Sequence, residues 1–488
     1  MNFFRRNWKI SMIVILILNF ILRLIIYWNT HLFNFSDYKV YLNAIDIIKN
    51  NESIPLVGGN FLFSISYIGF LSKYILGSLD YFFIFNCFLG TLTTLIVALF
   101  VIKVSGNPIT GLITAFLLTF YTEFMVFSSV FYTQVIMLLL LSLFVFSLFN
   151  FYKSSSKTGL INLTVSILMV FLATFFFKPE LIFFPLFLLI LVIIFIRKQR
   201  AFVQRSIVLA IILIFGILAL KVSGLYNKQD KDVIANDFIF FGHTSYGGDG
   251  GEGSFIYPEN EFRYDVAWKD YCLKNELVNP TNKDRNRFQL TEINKFVIHH
   301  PLAWVKLQFT KFFRTFGVVP ETTSFKVLYI GLFKGNLWLT SIVVVAPVAI
   351  IILLFIFFFN CTALKNLLTL NKTTTLDRKT ARLQDRKTNY FLYIYFLLFL
   401  YYLIATIFFG QYQERYRLPL MVVFIIPALS YSITSYNKEQ FFKKSTLVLK
   451  SSFIALFLTI WVFQAKNAIS NKNRLQNAIE LIESQKAK

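Results

Sequence analysis

A carboxylate, that of Asp37, lies just beyond the first apolar stretch of the chain. Ser36 is expected to cap a helix, because apolar residues including Tyr41 and Ile45 follow it at helical spacing. Asp37 then lies in the first turn, where a carboxylate within hydrogen-bond reach of a hydroxyl or amine can accept its proton. The simpler interpretation, which the residues alone favour, is a charge stabilised by the helix macrodipole.

Three cations lie in short connections between apolar segments: Lys178, Arg415 and Arg417. Arginine offers a planar fork to phosphate oxygens, whereas lysine supplies a point charge. Structural interpretations remain open for each of them. Lys178 can extend its ammonium group to the membrane interface, and the arginines can anchor the end of a span or pair with Glu414.

A glycine-rich segment, 240–258, carries three further polar candidates, His243, Asp249 and Glu252. They could bind an acceptor or a metal, although their spacing fits no calcium loop. So many glycines indicate either a mobile lid or acceptor loop or simple disorder. The three cysteines lack the spacing of a zinc site or a disulfide framework.

The composition determines the setting of these residues. Of the 488 residues, 56% are hydrophobic, 60 are phenylalanine and 15% are charged, well below the roughly 25% of a soluble domain. A soluble fold cannot cover that much apolar surface. The sequence therefore predicts an all-α polytopic membrane protein.

Eleven segments are apolar enough to be predicted spans, each of which needs about 20 residues. They are 10–28, 80–102, 109–127, 130–150, 160–177, 180–196, 206–224, 336–359, 390–409, 418–434 and 446–464. Segment 61–78 is interrupted by polar residues and is predicted to lie at the membrane interface.

The net charge of +23 is interpreted as a topology signal, so no nucleic-acid partner is expected. Lysine and arginine concentrate in alternate connections, including 5–9, 197–205 and 365–387, which places the N-terminus in the cytoplasm. Connections 29–60, 225–335 and 410–418 then face outward. The abundance of Phe, Ile, Lys and Asn favours an AT-rich bacterial genome, and hence the bacterial inner membrane.

Four regions follow from this pattern. Residues 1–224 form an N-terminal transmembrane module with the outer loop 29–60, and 225–335 form an extracytoplasmic region with an interfacial helix. Residues 336–464 supply the C-terminal spans, and 465–488 a polar tail. No inverted repeat of the kind found in secondary transporters is visible.

Four short motifs, in order and predicted to share one face of the membrane, resemble the GT-C superfamily of membrane glycosyltransferases. This superfamily includes the protein O-mannosyltransferases and the lipid A aminoarabinose transferases. The motifs are Asp37 with Tyr41 after the first span, Tyr121 followed by 128–134, Lys178-Pro179-Glu180, and Arg415-Tyr416-Arg417-Leu418-Pro419. The resemblance covers most of 1–200 and 390–434.

The resemblance implies transfer of a sugar from a polyprenyl-phosphate-linked donor to a lipid, glycan or protein acceptor at the outer face. It makes Asp37 the general base and assigns the donor phosphate to Lys178, Arg415 and Arg417. Tyr41, Tyr132, Gln134, Glu123 and His243 are the expected substrate-binding residues. Lipid bilayer, donor and acceptor are the expected partners.

One departure from the family pattern bears on metal binding. Many relatives carry an acidic residue where this chain has Gln134, so a site with two carboxylates is not expected. Glu123 could substitute for it or could simply end a helix. The prediction is no cofactor and no obligatory metal, with a divalent ion as the alternative.

Two other functions remain open. An O-antigen polymerase or ligase would also have many spans and outer arginines, but would not need a carboxylate directly after the first span. A lipid-linked glycan flippase or other transporter would carry charges within several spans, whereas the predicted spans are nearly free of charge.

Overall fold

The computed structural model describes residues 6–29, 37–50, 60–153, 157–172, 184, 200–222, 239–240, 242–244, 263–318, 341–358, 379–405, 407, 414–434 and 444–470. These parts of the chain are helices and short turns, with no β-strand among them. The all-α prediction is therefore confirmed for the described residues.

The helices, numbered in chain order, share a strongly apolar composition outside the central region. They are α1 Trp8–Asn29, α2 Asp37–Lys49, α3 Asn60–Phe70, α4 Asp80–Ser105, α5 Pro108–Phe120, α6 Thr122–Val126, α7 Gln134–Lys153, α8 Lys157–Leu172, α9 Arg200–Val222, α10 Arg263–Lys274, α11 Asn282–His299, α12 Pro301–Thr315, α13 Ala346–Phe358, α14 Lys379–Ile404, α15 Ile426–Thr434 and α16 Lys444–Ser470. Short π-helical turns precede α13 and α15 at Ser341–Val345 and Leu420–Ile425, and another, Leu71–Ile75, extends α3.

Three of the described helices are long and apolar enough to cross a membrane: α1, α4 and α7. A fourth span results if α5 and α6 count together. Shorter apolar helices lie at Ile161–Val170, Val203–Phe215, Ile342–Phe358, Ile394–Ile404 and Leu420–Thr434. The number of eleven spans stays a prediction, and the predicted span 180–196 lies almost entirely outside the described residues.

The predicted span 109–127 is not one straight helix. The chain bends by 64° between α5 and the segment Thr122–Ser129. Tyr121 lies at the break with φ −78° and ψ 82°, outside the helical region. The Thr122 hydroxyl donates to the Val343 carbonyl oxygen at 2.5 Å, a contact with a distant part of the chain. Local hydropathy carries no signal for such a contact, which is why the sequence predicts an unbroken span.

Contacts at the two ends of the bundle define its direction. At one end, here called the Asp80 end, the Tyr27 hydroxyl donates to the Asp80 carboxylate, and the Phe82 ring lies 4.4 Å from that of Phe131. At the opposite end, the Lys103 ammonium donates to Asn150 at 3.3 Å. The C-terminus of α1 and the N-termini of α4 and α7 therefore share the Asp80 end.

Helices α10 to α12 belong to the predicted extracytoplasmic region 225–335. Thr281 caps α11 in a reciprocal capping box with Asp284, and Phe240, Phe288 and Ile293 form a small separate core. The exposed apolar residues Leu302, Val305 and Phe309 lie along one side of α12. This stripe suits the predicted interfacial helix.

Helix α16 packs against the segment that follows α12. The Trp461 indole donates to the Phe316 carbonyl oxygen at 3.2 Å. A Cβ added to Gly317 would lie 2.5 Å from the Gln464 amide nitrogen. Alanine at this position would therefore require the end of the Gln464 side chain to move.

Helices α2 and α3 pack together beside the Asp80 end. The Lys73 ammonium and the Tyr74 hydroxyl both donate to Asp46, at 2.9 and 2.7 Å. These bonds hold the pKa of Asp46 below its usual range. Side chains on the other face, including Leu71 and Ile75, are exposed, as expected of the predicted interfacial segment 61–78.

We predict that Gly69→Ala loosens this packing. The added Cβ would lie 2.5 Å from Cζ of Phe131 and 2.6 Å from Cδ1 of Ile45, both fully buried. Alanine favours the helix by up to about 1 kcal/mol, so the overpacking cost of about 1–3 kcal/mol should lower the melting temperature in detergent. Leu71→Ala, at a partly exposed neighbouring position, is the control. Equal melting temperatures of Gly69→Ala and the native protein would contradict the prediction.

Candidate active site

A buried ion pair joins α6 to the 3-10 turn Glu414–Arg417. Arg417 donates to both carboxylate oxygens of Glu123, from Nε and Nη2, at 2.8 Å each. The two side chains are 4% and 1% exposed. A bidentate pair of this kind is directional and is costly to break in an apolar environment.

The same two side chains hold three further segments. The Tyr121 hydroxyl donates to Glu123, so the residue at the helix break is tied to the ion pair. Arg417 Nη1 donates to the carbonyl oxygens of Gly317 and, at 3.4 Å, Thr315, just after α12. The pair therefore connects the break, the end of α12 and the late Arg-Tyr-Arg motif.

A second buried arginine also binds the segment that follows the break. Arg23 of α1 is fully buried. Its Nε donates to Asn19 at 2.9 Å, and its Nη1 donates to the Phe124 carbonyl oxygen at 3.1 Å and to the Ser128 hydroxyl. The guanidinium also lies 4.1 Å from the Phe124 ring centre.

The sequence reasoning did not single out Arg23, although a signal was present. A lone arginine inside an otherwise apolar span is a default marker of function. Asn19, Arg23 and Tyr27 recur every four residues, which places them on one face of α1. Averaging hydropathy over the span hides both facts.

Helix α2 is attached to the same connection by aromatic contacts. The Tyr41 ring lies 5.8 Å from Phe131 and 5.9 Å from Tyr132, edge-on to both. Asp37 begins α2, one turn before Tyr41. Its side chain lies outside what the structure describes. The predicted residues Tyr41, Tyr132, Glu123 and Arg417 are thus held by one continuous connection, 121–134.

Gln134 begins α7 directly after this connection. It is buried, and neither its amide nitrogen nor its amide oxygen has a hydrogen-bond partner among the described residues. An unpaired buried amide is costly, so this position is suited to a polar ligand or an ordered water. Its predicted role in substrate binding stays a prediction.

His243 lies in a different environment, on α12. Its Nδ1 accepts a hydrogen bond from the Trp304 indole at 3.1 Å, and the neighbouring Gly242 carbonyl oxygen accepts one from Lys311. About 16 Å of helix separates Trp304 from Thr315, where α12 meets Arg417. The structure therefore does not place His243 at the buried ion pair.

Burial alters the titration of both groups on α12. It lowers the pKa of His243 to about 4, with a smaller contribution from the nearby Lys311 charge. It also lowers the pKa of Lys311 to about 7. His243 is therefore neutral near pH 7, whereas Lys311 is close to the midpoint of its titration there.

Two predicted phosphate ligands lie largely outside the described residues. Lys178 does so entirely, and of Arg415 only the backbone is described, in the 3-10 turn Glu414–Arg417. Asp249 and Glu252 are also outside the described part. Within that part, no group of three or more His, Cys, Asp or Glu side chains is placed to hold a metal. The expectation about metals stays a prediction.

The chain matches no protein-family model and no curated protein sequence. The resemblance to the GT-C superfamily therefore depends on the four motifs alone.

We predict strong coupling between Glu123 and Arg417. Glu123→Gln and Arg417→Gln should each lower the free energy of unfolding by about 3–5 kcal/mol, because each leaves the other charge buried without its partner. The double variant should lose clearly less than the sum. Thermal melting of the native protein, the two single variants and the double variant in one detergent measures this coupling.

The exposed pair of Asp46 and Lys73 provides the matched control. The same cycle with Asp46→Asn and Lys73→Gln should give a coupling below about 1 kcal/mol. If the losses in free energy of unfolding at positions 123 and 417 are additive, the buried ion pair does not stabilise the interruption between α5 and α6.

We predict that acid weakens the packing of segment 242–244 on α12. The pKa of His243 is about 4 in the folded protein and about 6.5 when unfolded, so stability is lost as pH falls from 6.5 towards 4. Protonated Nδ1 cannot accept from Trp304. His243→Gln should flatten the melting temperature over this range, whereas His300→Gln, at an exposed position, should not. Parallel curves for native protein and His243→Gln would contradict this assignment.

Proposed function

We propose that this chain is an integral membrane glycosyltransferase with an outward-facing site. It moves a sugar from a polyprenyl-phosphate-linked donor to a lipid, glycan or protein acceptor, with Asp37 as general base. The observation that carries the proposal is that one connection, 121–134, binds both α2, which begins at Asp37, and Arg417. Motifs far apart along the chain are thereby brought to the same end of the bundle.

The chemistry assigns one task to each group. Asp37 accepts the proton of the acceptor hydroxyl or amine as that atom forms its bond to the anomeric carbon. The bond from the anomeric carbon to the phosphate oxygen breaks, and the configuration inverts. Lys178 and Arg415 bind the departing lipid phosphate, whose negative charge increases in the transition state.

Arg417 takes a positioning role in this scheme. Its described hydrogen bonds use Nε, Nη1 and Nη2, all towards Glu123 and the end of α12. A phosphate at Arg417 would have to share or displace one of these partners. The arginine therefore fixes the turn that carries Arg415, and Lys178 and Arg415 provide the main phosphate contacts.

The topology follows from the charge pattern. The cation-rich connections face the cytoplasm of a bacterial inner membrane, and the Asp80 end faces outward. In support, the Asp80 end contains the start of α2 and the 121–134 connection, while Lys103 and Lys153 lie at or near the opposite end. The donor would enter from the outer leaflet.

The decisive experiment uses the full-length protein in lipid nanodiscs and in sealed vesicles, with a radiolabelled polyprenyl-phosphate sugar. A transferase consumes the donor and releases polyprenyl phosphate in both preparations. A flippase changes only the side of the vesicle membrane on which the donor is accessible. Donor that moves but is never consumed would refute the proposal.

We predict that Asp37→Asn lowers turnover at least about a hundredfold, the usual contribution of a general base, while donor binding is retained. Asp46→Asn is the matched control, because it removes a carboxylate from the same helix where it pairs with Lys73. Both variants are compared by initial rates at equal protein concentration. Full turnover by Asp37→Asn would remove Asp37 as the base and favour a polymerase or ligase.

A further inference from the structure

Arg23 carries a positive charge inside the first span, and one of its nitrogens makes no hydrogen bond to the part of the chain that the structure describes. Its Nε and Nη1 are bonded, but Nη2 is buried without a hydrogen-bond partner among the described residues. No carboxylate in that part of the chain pairs with it. A buried guanidinium that lacks a counter-charge is expensive in an apolar environment. It therefore calls for a ligand of opposite charge.

Two other unpaired polar groups lie on segments that contact this guanidinium. Arg23 lies against Gly90 of α4, where an added Cβ would be 2.4 Å from Nη1. Asn86 is one helical turn before Gly90 on the same face of α4, and Ser129 follows Ser128, which accepts a hydrogen bond from Nη1. The amide of Asn86 and the hydroxyl of Ser129 are buried without partners in the described structure.

Neighbouring polar side chains differ from these three in being bonded. Asn19 donates to Thr119 at 3.1 Å and accepts from Thr91 at 3.0 Å. The side-chain hydroxyls of Thr93 and Thr94 donate to carbonyl oxygens of their own helix. Among the described residues of α1, α4 and the turn 127–129, the buried side-chain atoms without a partner are thus those of Arg23, Asn86 and Ser129.

The unpaired atoms select a class of ligand. Arg23 Nη2, the Asn86 amide nitrogen and the Ser129 hydroxyl can donate, which suits the oxygens of an oxyanion. The Asn86 amide oxygen can only accept, so the ligand must also carry a donor. A phosphate that keeps one proton has both kinds of group, whereas sulfate and chloride only accept.

We propose that Arg23, Asn86 and Ser129 form a buried binding site for a protonated phosphate group towards the Asp80 end of the bundle. Arg23 lies six residues before the end of α1 at Asn29, about 9 Å along the helix axis. The phosphate comes either from solution or from a lipid headgroup. This site does not depend on sugar transfer, so it goes beyond the proposed function and can stand without it.

The test measures phosphate binding by the full-length protein in nanodiscs of zwitterionic lipid. Inorganic phosphate, the probe, should raise the melting temperature in a saturable manner. Sulfate at the same ionic strength should bind about tenfold more weakly, because it cannot donate to Asn86. Phosphatidic acid added to the nanodisc forms the second arm. Competition with inorganic phosphate identifies a headgroup as the ligand, and its absence identifies the solution ion.

The variants separate binding from folding. Asn86→Leu and Ser129→Ala remove groups that have no partner among the described residues, so both should fold normally yet weaken phosphate binding about tenfold. Arg23→Gln should abolish binding. Arg205→Gln is the matched control. Arg205 also donates to backbone carbonyl oxygens, those of Phe151 and Tyr152, but it lies near the end of the bundle opposite the Asp80 end.

The phosphate-binding results can be interpreted without any measurement of sugar transfer. Weaker binding in the Asn86 and Ser129 variants, with native affinity in Arg205→Gln, supports the site even if no sugar is ever transferred. The proposal is overturned if phosphate fails to bind, or if it stabilises Asn86→Leu, Ser129→Ala and the native protein equally. Equal effects of sulfate and phosphate would also overturn it, because they would indicate a general salt effect.

Discussion

The arrangement at the Asp80 end depends on two arginines that hold one interrupted helix. Where α5 stops at Tyr121, the backbone loses its regular hydrogen bonds, and in a membrane such groups need protein partners. Arg417 binds the side chain of Glu123, and Arg23 binds the carbonyl oxygen of the next residue, Phe124. The two cations lie nearly four hundred residues apart in sequence, so the break is stable only when distant parts of the chain have assembled.

The bonds that the two arginines make explain why charges are tolerated inside so apolar a protein. Glu123 and Arg417 neutralise each other, and their remaining hydrogen-bonding capacity is directed to Tyr121 and to the end of α12. The guanidinium of Arg23 is only partly satisfied, by an amide, a carbonyl oxygen and a hydroxyl. Of the two sites, the fully paired one is suited to holding structure and the partly paired one to binding a ligand.

The sequence predicts the regular parts of this fold well. The apolar runs 10–28 and 80–102 correspond to α1 and α4, because uninterrupted hydropathy is sufficient to identify a span. The bend at Tyr121 and the Glu123–Arg417 pair are not predictable in the same way, since both depend on contacts between distant residues. Glu123 alone is compatible with a helix end, a metal ligand or an ion pair. The sequence has no means of choosing its partner 294 residues away.

That separation has a consequence for biosynthesis. A ribosome makes Glu123 long before Arg417, and the segment at Gly317 that receives Arg417 is covered by Gln464 of a still later helix. Until Arg417 has been made, the ion pair that holds the break cannot form. A chain that terminates before Arg417 therefore contains Glu123 without the cation that it binds in the folded protein.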